Sequence, residues 1–500
     1  MDGIIQSLGV IFSLSGIAVL LIGALLGMVI GALPGLGPSI GLSLLIPFTY
    51  TMSPELSMLL MISLYTSAEY GGSISAILLS TPGTAAAAAA ATAIDGYAMA
   101  QKGKANEAIS ISLTASTVGG VLGGLALLLL AMPLASLALQ FGPAGYFAVG
   151  LFGLTSVAAL AGGSLVKGLL GAGLGLALAT VGIDPIAGTP RFTFGQFELY
   201  EGVPFLAALI GLFAVSEAIS LAEKQARKKP LGKTRVGHVF LSMALWKETW
   251  RSMLSGSVIG TLLGILPGVG GNIACWVARD YARARDKNPE EYGKGAANGI
   301  AAPEASNNAT VGGALVPLLA LGVPGSPTTA IMMGALIMHG LHPGPQLFTE
   351  EPTLVYAILF GVIIASLVQY LVGSLFLPIM ARTVLLPEGV IAAGIMAFAV
   401  LGAFAIRNLM FDVWLTLGFG LLGYVMKKLS FPVAPVILAM VLGYLIESNY
   451  RTALVSSRGD YMIFLTDPIS VLFLILSLIS IMVPIRRAWR ARRAASHSAA

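Results

Sequence analysis

The chain has 500 residues, of which 56% are hydrophobic and only 10% charged, with a mean hydropathy of +0.88. Soluble domains carry roughly 25% charged residues, so this composition excludes a water-soluble globular protein and places most of the chain in lipid. The formal charge of +5 is gathered at a few loops, where it sets topology and implies no nucleic-acid surface.

The N-terminus, Met1 to Gln6, lacks the basic region and short apolar core of a cleaved signal peptide and reads as a mature start leading into a first span. From there, apolar runs near the bilayer-crossing length of about 20 residues recur along the whole chain. They predict an all-α polytopic membrane protein with roughly 11 to 14 spanning or re-entrant helices. The runs are continuous rather than alternating, which argues against a barrel. Sixty-one glycines let such helices approach closely. The single cysteine, Cys275, excludes an internal disulfide and reads as a small buried residue.

In chain order, the first apolar run ends in Gly31-Ala-Leu-Pro-Gly-Leu-Gly37. Gly71-Gly72 follows, then a short apolar run and a second break, Ser80-Thr-Pro-Gly-Thr84, before Lys102 and Lys104. A basic stretch holds Lys224, Arg227, Lys228, Lys229, Lys233, Arg235, Lys247 and Arg251. The first pattern then returns as Gly264-Ile-Leu-Pro-Gly-Val-Gly270, Gly312-Gly313 and Gly322-Val-Pro-Gly-Ser-Pro-Thr328, and runs on to Glu350 and Glu351. Two different clusters recurring in one order mark an internal repeat.

Cytoplasmic loops collect Lys and Arg, and corresponding loops of the two copies have opposite charge character. Residues 1–221 and 252–485 are therefore expected to be inverted repeats, joined by a basic cytoplasmic linker at 222–251. Residues 486–500, with Arg486 to Arg493, form a basic cytoplasmic tail. This puts the N-terminus outside and the C-terminus inside. Inverted repeats with interrupted helices are the sequence signature of secondary transporters with a midplane site.

Proline and glycine in tandem break a helix and leave backbone groups unpaired. Helix N-termini so exposed hold carboxylates, and freed carbonyls coordinate Na⁺. The breaks at Pro34-Gly35, Pro82-Gly83, Pro267-Gly268 and Pro324-Gly325 are thus the primary site candidates. Polar side chains gather at them: Ser39, Thr81, Thr84, Asn272, Ser326, Thr328 and Thr329. Hydroxyls and amides bind oxyanions without burying a charged lysine or arginine. Pro303-Glu-Ala-Ser-Asn-Asn-Ala309 adds Asn307 and Asn308, an intramembrane polar cluster of the kind that defaults to function.

The expected substrate-binding set is Gly35, Ser39, Thr81, Gly83, Thr84, Gly268, Asn272, Asn307, Asn308, Gly325, Ser326 and Thr328. Asn307, Asn308, Ser39 and Thr329 are the candidate Na⁺ ligands. Glu69, before Gly71-Gly72, is read as a loose counterpart of Glu304, although the gap lengths differ. Each of these polar groups also has a bland reading as a helix-packing contact. Asp95, Asp184, Arg191, Glu198 and Glu201 lie near helix ends and read as interfacial, and His339 with His342 is a weak metal signal.

An intramembrane enzyme is the chief rival class, and the sequence carries no His-Glu-x-x-His pair or Gly-x-Gly-Asp segment. A channel would want a pore ring rather than two asymmetric pairs of broken helices. A Gly-x-x-x-x-Gly-Lys-Ser/Thr phosphate loop is also missing, which removes a self-contained ATP-driven pump.

On these residues the chain resembles the large permease of the tripartite tricarboxylate transporter family, the TctA type. Gly31 to Gly37, Glu304 to Asn308 with Gly312-Gly313, Leu321 to Ser326, and Gly340 to Pro345 carry the resemblance, as do Gly182 to Phe192 and Lys428 to Pro435. It implies a small membrane subunit and a periplasmic solute-binding protein as partners, with di- or tricarboxylates such as citrate as the substrate class. It implies uptake across the bacterial inner membrane driven by an ion gradient, commonly Na⁺ with a proton as the alternative, and no cofactor. A homodimer is compatible with it.

Overall fold

The computed structural model describes residues 2–33, 35–80, 87–160, 164–184, 187–223, 240–383 and 386–498. The first part of the chain runs α1 (Asp2–Ile11), α2 (Leu14–Ala32), α3 (Pro38–Thr49), α4 (Pro54–Leu79), α5 (Ala87–Gln101), α6 (Ala105–Ala138), α7 (Pro143–Leu160) and α8 (Leu165–Ala179). A two-stranded antiparallel hairpin follows, β1 (Gly182–Ile183) with β2 (Pro190–Arg191). Next comes a span built from α9 (Phe205–Leu209), a π-helical segment (Ile210–Val215) and α10 (Ser216–Glu223).

The second part runs α11 (Met243–Ile265), α12 (Gly270–Arg285), α13 (Ala297–Leu321), α14 (Pro327–Met338), α15 (Leu347–Glu350), α16 (Pro352–Thr383) and α17 (Glu388–Arg407). It ends with α18 (Met410–Lys428), α19 (Ala434–Ser456), α20 (Ile463–Thr466) and α21 (Pro468–Ser498). Residues 224–239 of the expected linker lie outside the described residues, and α11 begins within its remainder.

Seven helices among the described residues are long and apolar enough to cross a bilayer, and four shorter helices are apolar. The 26-residue α4 and the 25-residue α13 are not among them. Both are buried along most of their length and carry polar side chains there, so hydropathy understates their place at the centre of the bundle. The spanning window of α21 is, by contrast, only 11% buried, and such an exposed apolar helix is stable only against lipid.

Helix starts follow local chemistry. Ser13, Ser53 and Ser242 cap α2, α4 and α11 by accepting from the backbone N–H three residues on. Pro38 and Pro327 open α3 and α14 at the first turn, where a missing N–H costs nothing.

The repeated motifs take repeated geometry. Leu33 ends α2 at φ −74°, ψ 124°, and Leu266 ends α11 at φ −80°, ψ 115°. Gly35 and Gly268 follow at φ +89° and +83°. Ser80 and Gly322 cap α4 and α13 in the left-handed region.

Packing repeats too. Gly23, Gly27 and Gly31 of α2 lie against the backbone of Leu60, Leu64 and Ala68 in α4. Gly256, Gly260 and Gly264 of α11 lie against Ala302, Ser306 and Thr310 in α13. A Cβ on Gly71 would sit 3.0 Å from Gly31 Cα, and one on Gly313 would sit 3.0 Å from Gly264 Cα. These ladders of small residues let the paired axes close up, the main source of helix association where lipid removes the hydrophobic drive. Matching the two ladders contact for contact aligns Glu304 with Ile62 and Glu69 with Val311, so the two acids do not occupy corresponding positions.

Charged side chains tie loops together at the two ends of the bundle. At one end Arg191 pairs with Glu447, Arg451 with Asp184, and Arg407 with Asp412 and Glu201. At the opposite end of α18, Lys427 and Lys428 pair with Glu217 and Glu223. Asp95, near a helix end, is fully buried. It accepts from Arg279 Nη2 at 2.7 Å and from the backbone N–H groups of Gly293, Gly295 and Ala296.

Candidate functional site

Three of the four breaks fall wholly or mainly on described residues, and they converge. Gly268, in the break between α11 and α12, donates its backbone N–H to the carbonyl of Gly325, in the break between α13 and α14, at 3.0 Å. The hydroxyls of Ser39, at the start of α3, and Thr328, at the start of α14, share a hydrogen bond at 3.0 Å. Tyr65 of α4 reaches Ser326 at 3.3 Å. Thr81, Pro82, Gly83 and Thr84 lie outside the described residues, as does Pro34.

The N-termini of α3 and α14 therefore meet through side chains, with the positive ends of two helix dipoles side by side. The backbone N–H groups of Ser39 and Thr328, which follow the prolines that open the two helices, and the two hydroxyls are donors suited to an oxyanion. Thr328 is buried and Ser39 half-buried. Ser326 and Thr329 form a reciprocal capping box on α14, so the Thr329 hydroxyl is engaged with backbone and with Ser326.

The Asn pair sits beside this junction on α13. Asn307 donates to the Glu69 carboxylate at 3.1 Å, and Asn308 donates to the Thr66 carbonyl at 3.2 Å and to Gln369 Oε1 at 3.0 Å. The carbonyl oxygens of both asparagines are buried and have no hydrogen-bond partner among the described residues. Buried acceptors left open are uncommon in native structures and want a donor or a cation. Asn307 Oδ1 points at the start of α12, where a Cβ on Gly271 would lie 2.5 Å from it. Asn272, the next residue, is exposed.

Glu69 and Gln369 are the residues that motif reading did not bring to this site. In the sequence Glu69 is marked only by its neighbouring glycines, and Gln369 stands alone in an apolar helix, which is itself the signal for it. His342 belongs elsewhere. It lines a cavity of about 760 Å³ with Leu321, the last residue of α13, and with Met333, Gln346, Tyr444 and Asn449. Cys275 is buried against Ala91, as a small core residue.

Comparison with known proteins agrees with the motifs. The profile of the Tripartite tricarboxylate transporter TctA family matches residues 17–438. The chain is similar to an uncharacterized 52.8 kDa protein in the TAR-I ttuC' 3'region of Agrobacterium vitis, 36% identical over 472 residues, covering 94% of this chain and 93% of that one. It is also similar to an uncharacterized protein in the TAR-II ttuC' 3'region of the same organism, 35% identical over 234 residues, 47% of this chain and 97% of that one. No solved structure matches. With its many-helix membrane architecture, its doubled Pro-Gly breaks and a profile match over most of its length, the chain belongs to the tripartite tricarboxylate transporter TctA family, a family of transporter permeases.

Proposed function

We propose that this protein is the large permease subunit of a binding-protein-dependent secondary transporter that imports di- or tricarboxylates, citrate-like in class, by alternating access coupled to a Na⁺ or proton gradient. The observation that carries this reading is the meeting of the helix breaks: α3 against α14 through Ser39 and Thr328, and Gly268 against Gly325. A carboxylate is held by donors at the two helix N-termini, and a cation is held by the open amide oxygens of Asn307 and Asn308 with the Glu69 carboxylate nearby.

In this reading the two parts of the chain are inverted repeats. The end of the bundle bearing Lys427 and Lys428 faces the cytoplasm with the C-terminal tail, and the N-terminus is periplasmic in the bacterial inner membrane. A small membrane subunit and a periplasmic binding protein complete the system, the latter delivering substrate. The cavity beneath Tyr444 and His342, opening at the end opposite the lysines, gives delivered substrate a way toward the end of α13.

Reconstituted in proteoliposomes with its two partner subunits, the protein accumulates a carboxylate saturably when a Na⁺ or proton gradient is imposed and ATP is absent. Accumulation that requires ATP, or flux that does not saturate, contradicts this reading.

A further inference from the structure

Glu304 lies two turns into α13 and is 1% exposed. No described Lys or Arg pairs with it. Instead four hydroxyls from three other helices surround its carboxylate. Ser73 of α4 and Thr92 of α5 donate to Oε1, and Ser112 and Ser116 of α6 donate to Oε2 at 3.0 and 2.8 Å. Removing one charge from water without a counter-charge costs several kcal/mol even after relaxation, so an acid placed here calls for a neutralising partner. The four hydroxyls hold both carboxylate oxygens at hydrogen-bond distance.

A proton is the partner that fits. Each hydroxyl carries one donor and two acceptor lone pairs. All four donate to the ionised acid. When the acid takes up a proton, one hydroxyl rotates to accept it while the others keep their bonds, so both forms are satisfied without a change of fold. Intramembrane carboxylates of this kind are the proton-carrying groups of pumps and transporters.

The titratable groups facing Glu304 are Glu69 and Tyr70 on α4 and Cys275 on α12. On α5, Asp95 is already paired with Arg279. Neither α6 from Ala108 to Leu130 nor α11 beyond Arg251 brings a charged residue, and α13 itself brings no other.

We propose that Glu304, in its cage of Ser73, Thr92, Ser112 and Ser116, is an intramembrane proton-binding site whose loading accompanies transport. The proposal rests on the secondary-transport reading above and adds a proton, bound at Glu304, to the cation held at Asn307 and Asn308. Thr92 joins the acid to α5, the helix that follows the break at Pro82-Gly83. Protonation replaces charge-assisted bonds by weaker neutral ones, that of Thr92 among them, and so loosens the hold on that helix, which is how proton uptake from one aqueous side and release to the other can be tied to a change of access.

The test has two arms. In the first, infrared difference spectra of the purified full chain are taken between acidic and alkaline pH. A protonated-carboxyl band titrates in the wild type, is absent in Glu304→Gln, and shifts in Thr92→Val, which decides the matter if the glutamine variant fails to fold. A band unchanged in both variants overturns the proposal. In the second, the protein reconstituted with its partner subunits is tested with citrate. Glu304→Gln keeps citrate exchange and loses accumulation driven by a pH gradient, whereas undiminished accumulation overturns the proposal. If the wild type moves no citrate, the transport reading fails in its substrate, and the infrared arm alone decides for or against the proton site.

Discussion

The backbone N–H of Gly268 is hydrogen-bonded to the carbonyl of Gly325 at 3.0 Å, so the two helix interruptions that flank α12 and α14 are one structural unit. Each uses a backbone group that a continuous helix would have consumed internally, and each compensates the other. Movement of one break is thereby felt at the other.

Gly268 holds a left-handed conformation, φ +83°, and a Cβ there would lie 2.8 Å from Val157 Cα. Gly268→Ala adds backbone strain of about 1–3 kcal/mol and forces the break away from α7. Gly394→Ala, where a Cβ meets nothing within 4 Å, is the control. Melting of the detergent-purified protein shows a lower transition for the first variant and an unchanged or higher one for the second.

The glycine ladders make a symmetrical prediction. In an unobstructed helix, Gly→Ala gains about 1 kcal/mol of helix propensity, as expected for Gly173→Ala, whose added methyl meets nothing. Gly27→Ala and Gly260→Ala place the same methyl inside the contact distance of the Leu64 and Ser306 carbonyls, and separating the helices outweighs that gain. Both lower the yield of folded, monodisperse protein in fluorescence-detected size-exclusion chromatography. A loss in only one would show that the two ladders are not equivalent.

Asp95 and Arg279 form a buried ion pair that joins α5 to α12. Removing one partner leaves the other buried and unpaired, which costs about 3–5 kcal/mol. Asp95→Ala also strands the N–H groups of Gly293, Gly295 and Ala296. Asp95→Ala and Arg279→Ala should therefore increase proteolysis of the 286–296 loop in membranes, while Lys104→Ala, at an exposed pair with Glu107, should not.

Asp286, in the loop before α13, gives a pH dependence. Burial alone would raise its pKa. Donation from the backbone N–H of Asn288 at 3.2 Å, from the Asn298 amide at 2.9 Å and from the Tyr292 hydroxyl at 3.1 Å outweighs this and holds its carboxyl below the ordinary range. A depressed folded pKa contributes stability that is present above the unfolded value and is lost as pH falls through the folded one. Asp286→Asn should melt below wild type at neutral pH, and the gap should close on acidification through the carboxylate range.

The sequence made the architecture legible because its signals are local. A Pro-Gly pair within an apolar run breaks a helix wherever it occurs, and the two Asn side chains stand out in a small, apolar stretch. The glycine ladders were equally visible at four-residue spacing and became meaningful only with α4 and α13 in place. Contacts across long separations carried no such signal. Nothing near Asp95 announces Arg279, 184 positions away, so neither its burial nor its partner can be read from the sequence around it. The Glu304 cage draws four hydroxyls from three helices, each indistinguishable in sequence from ordinary packing residues.

The central claim is that the junction of α3 and α14 receives the carboxylate. Cys275 is buried, and with it changed to serine, Ser39→Cys gives a single thiol at that junction. The direct measurement is the rate at which a membrane-impermeant thiol reagent labels Ser39→Cys in the reconstituted three-subunit system, with and without the carboxylate that the system accumulates. Labelling slowed by that carboxylate, and not by an untransported analogue, is the predicted result. An identical rate in its presence and absence would contradict the account.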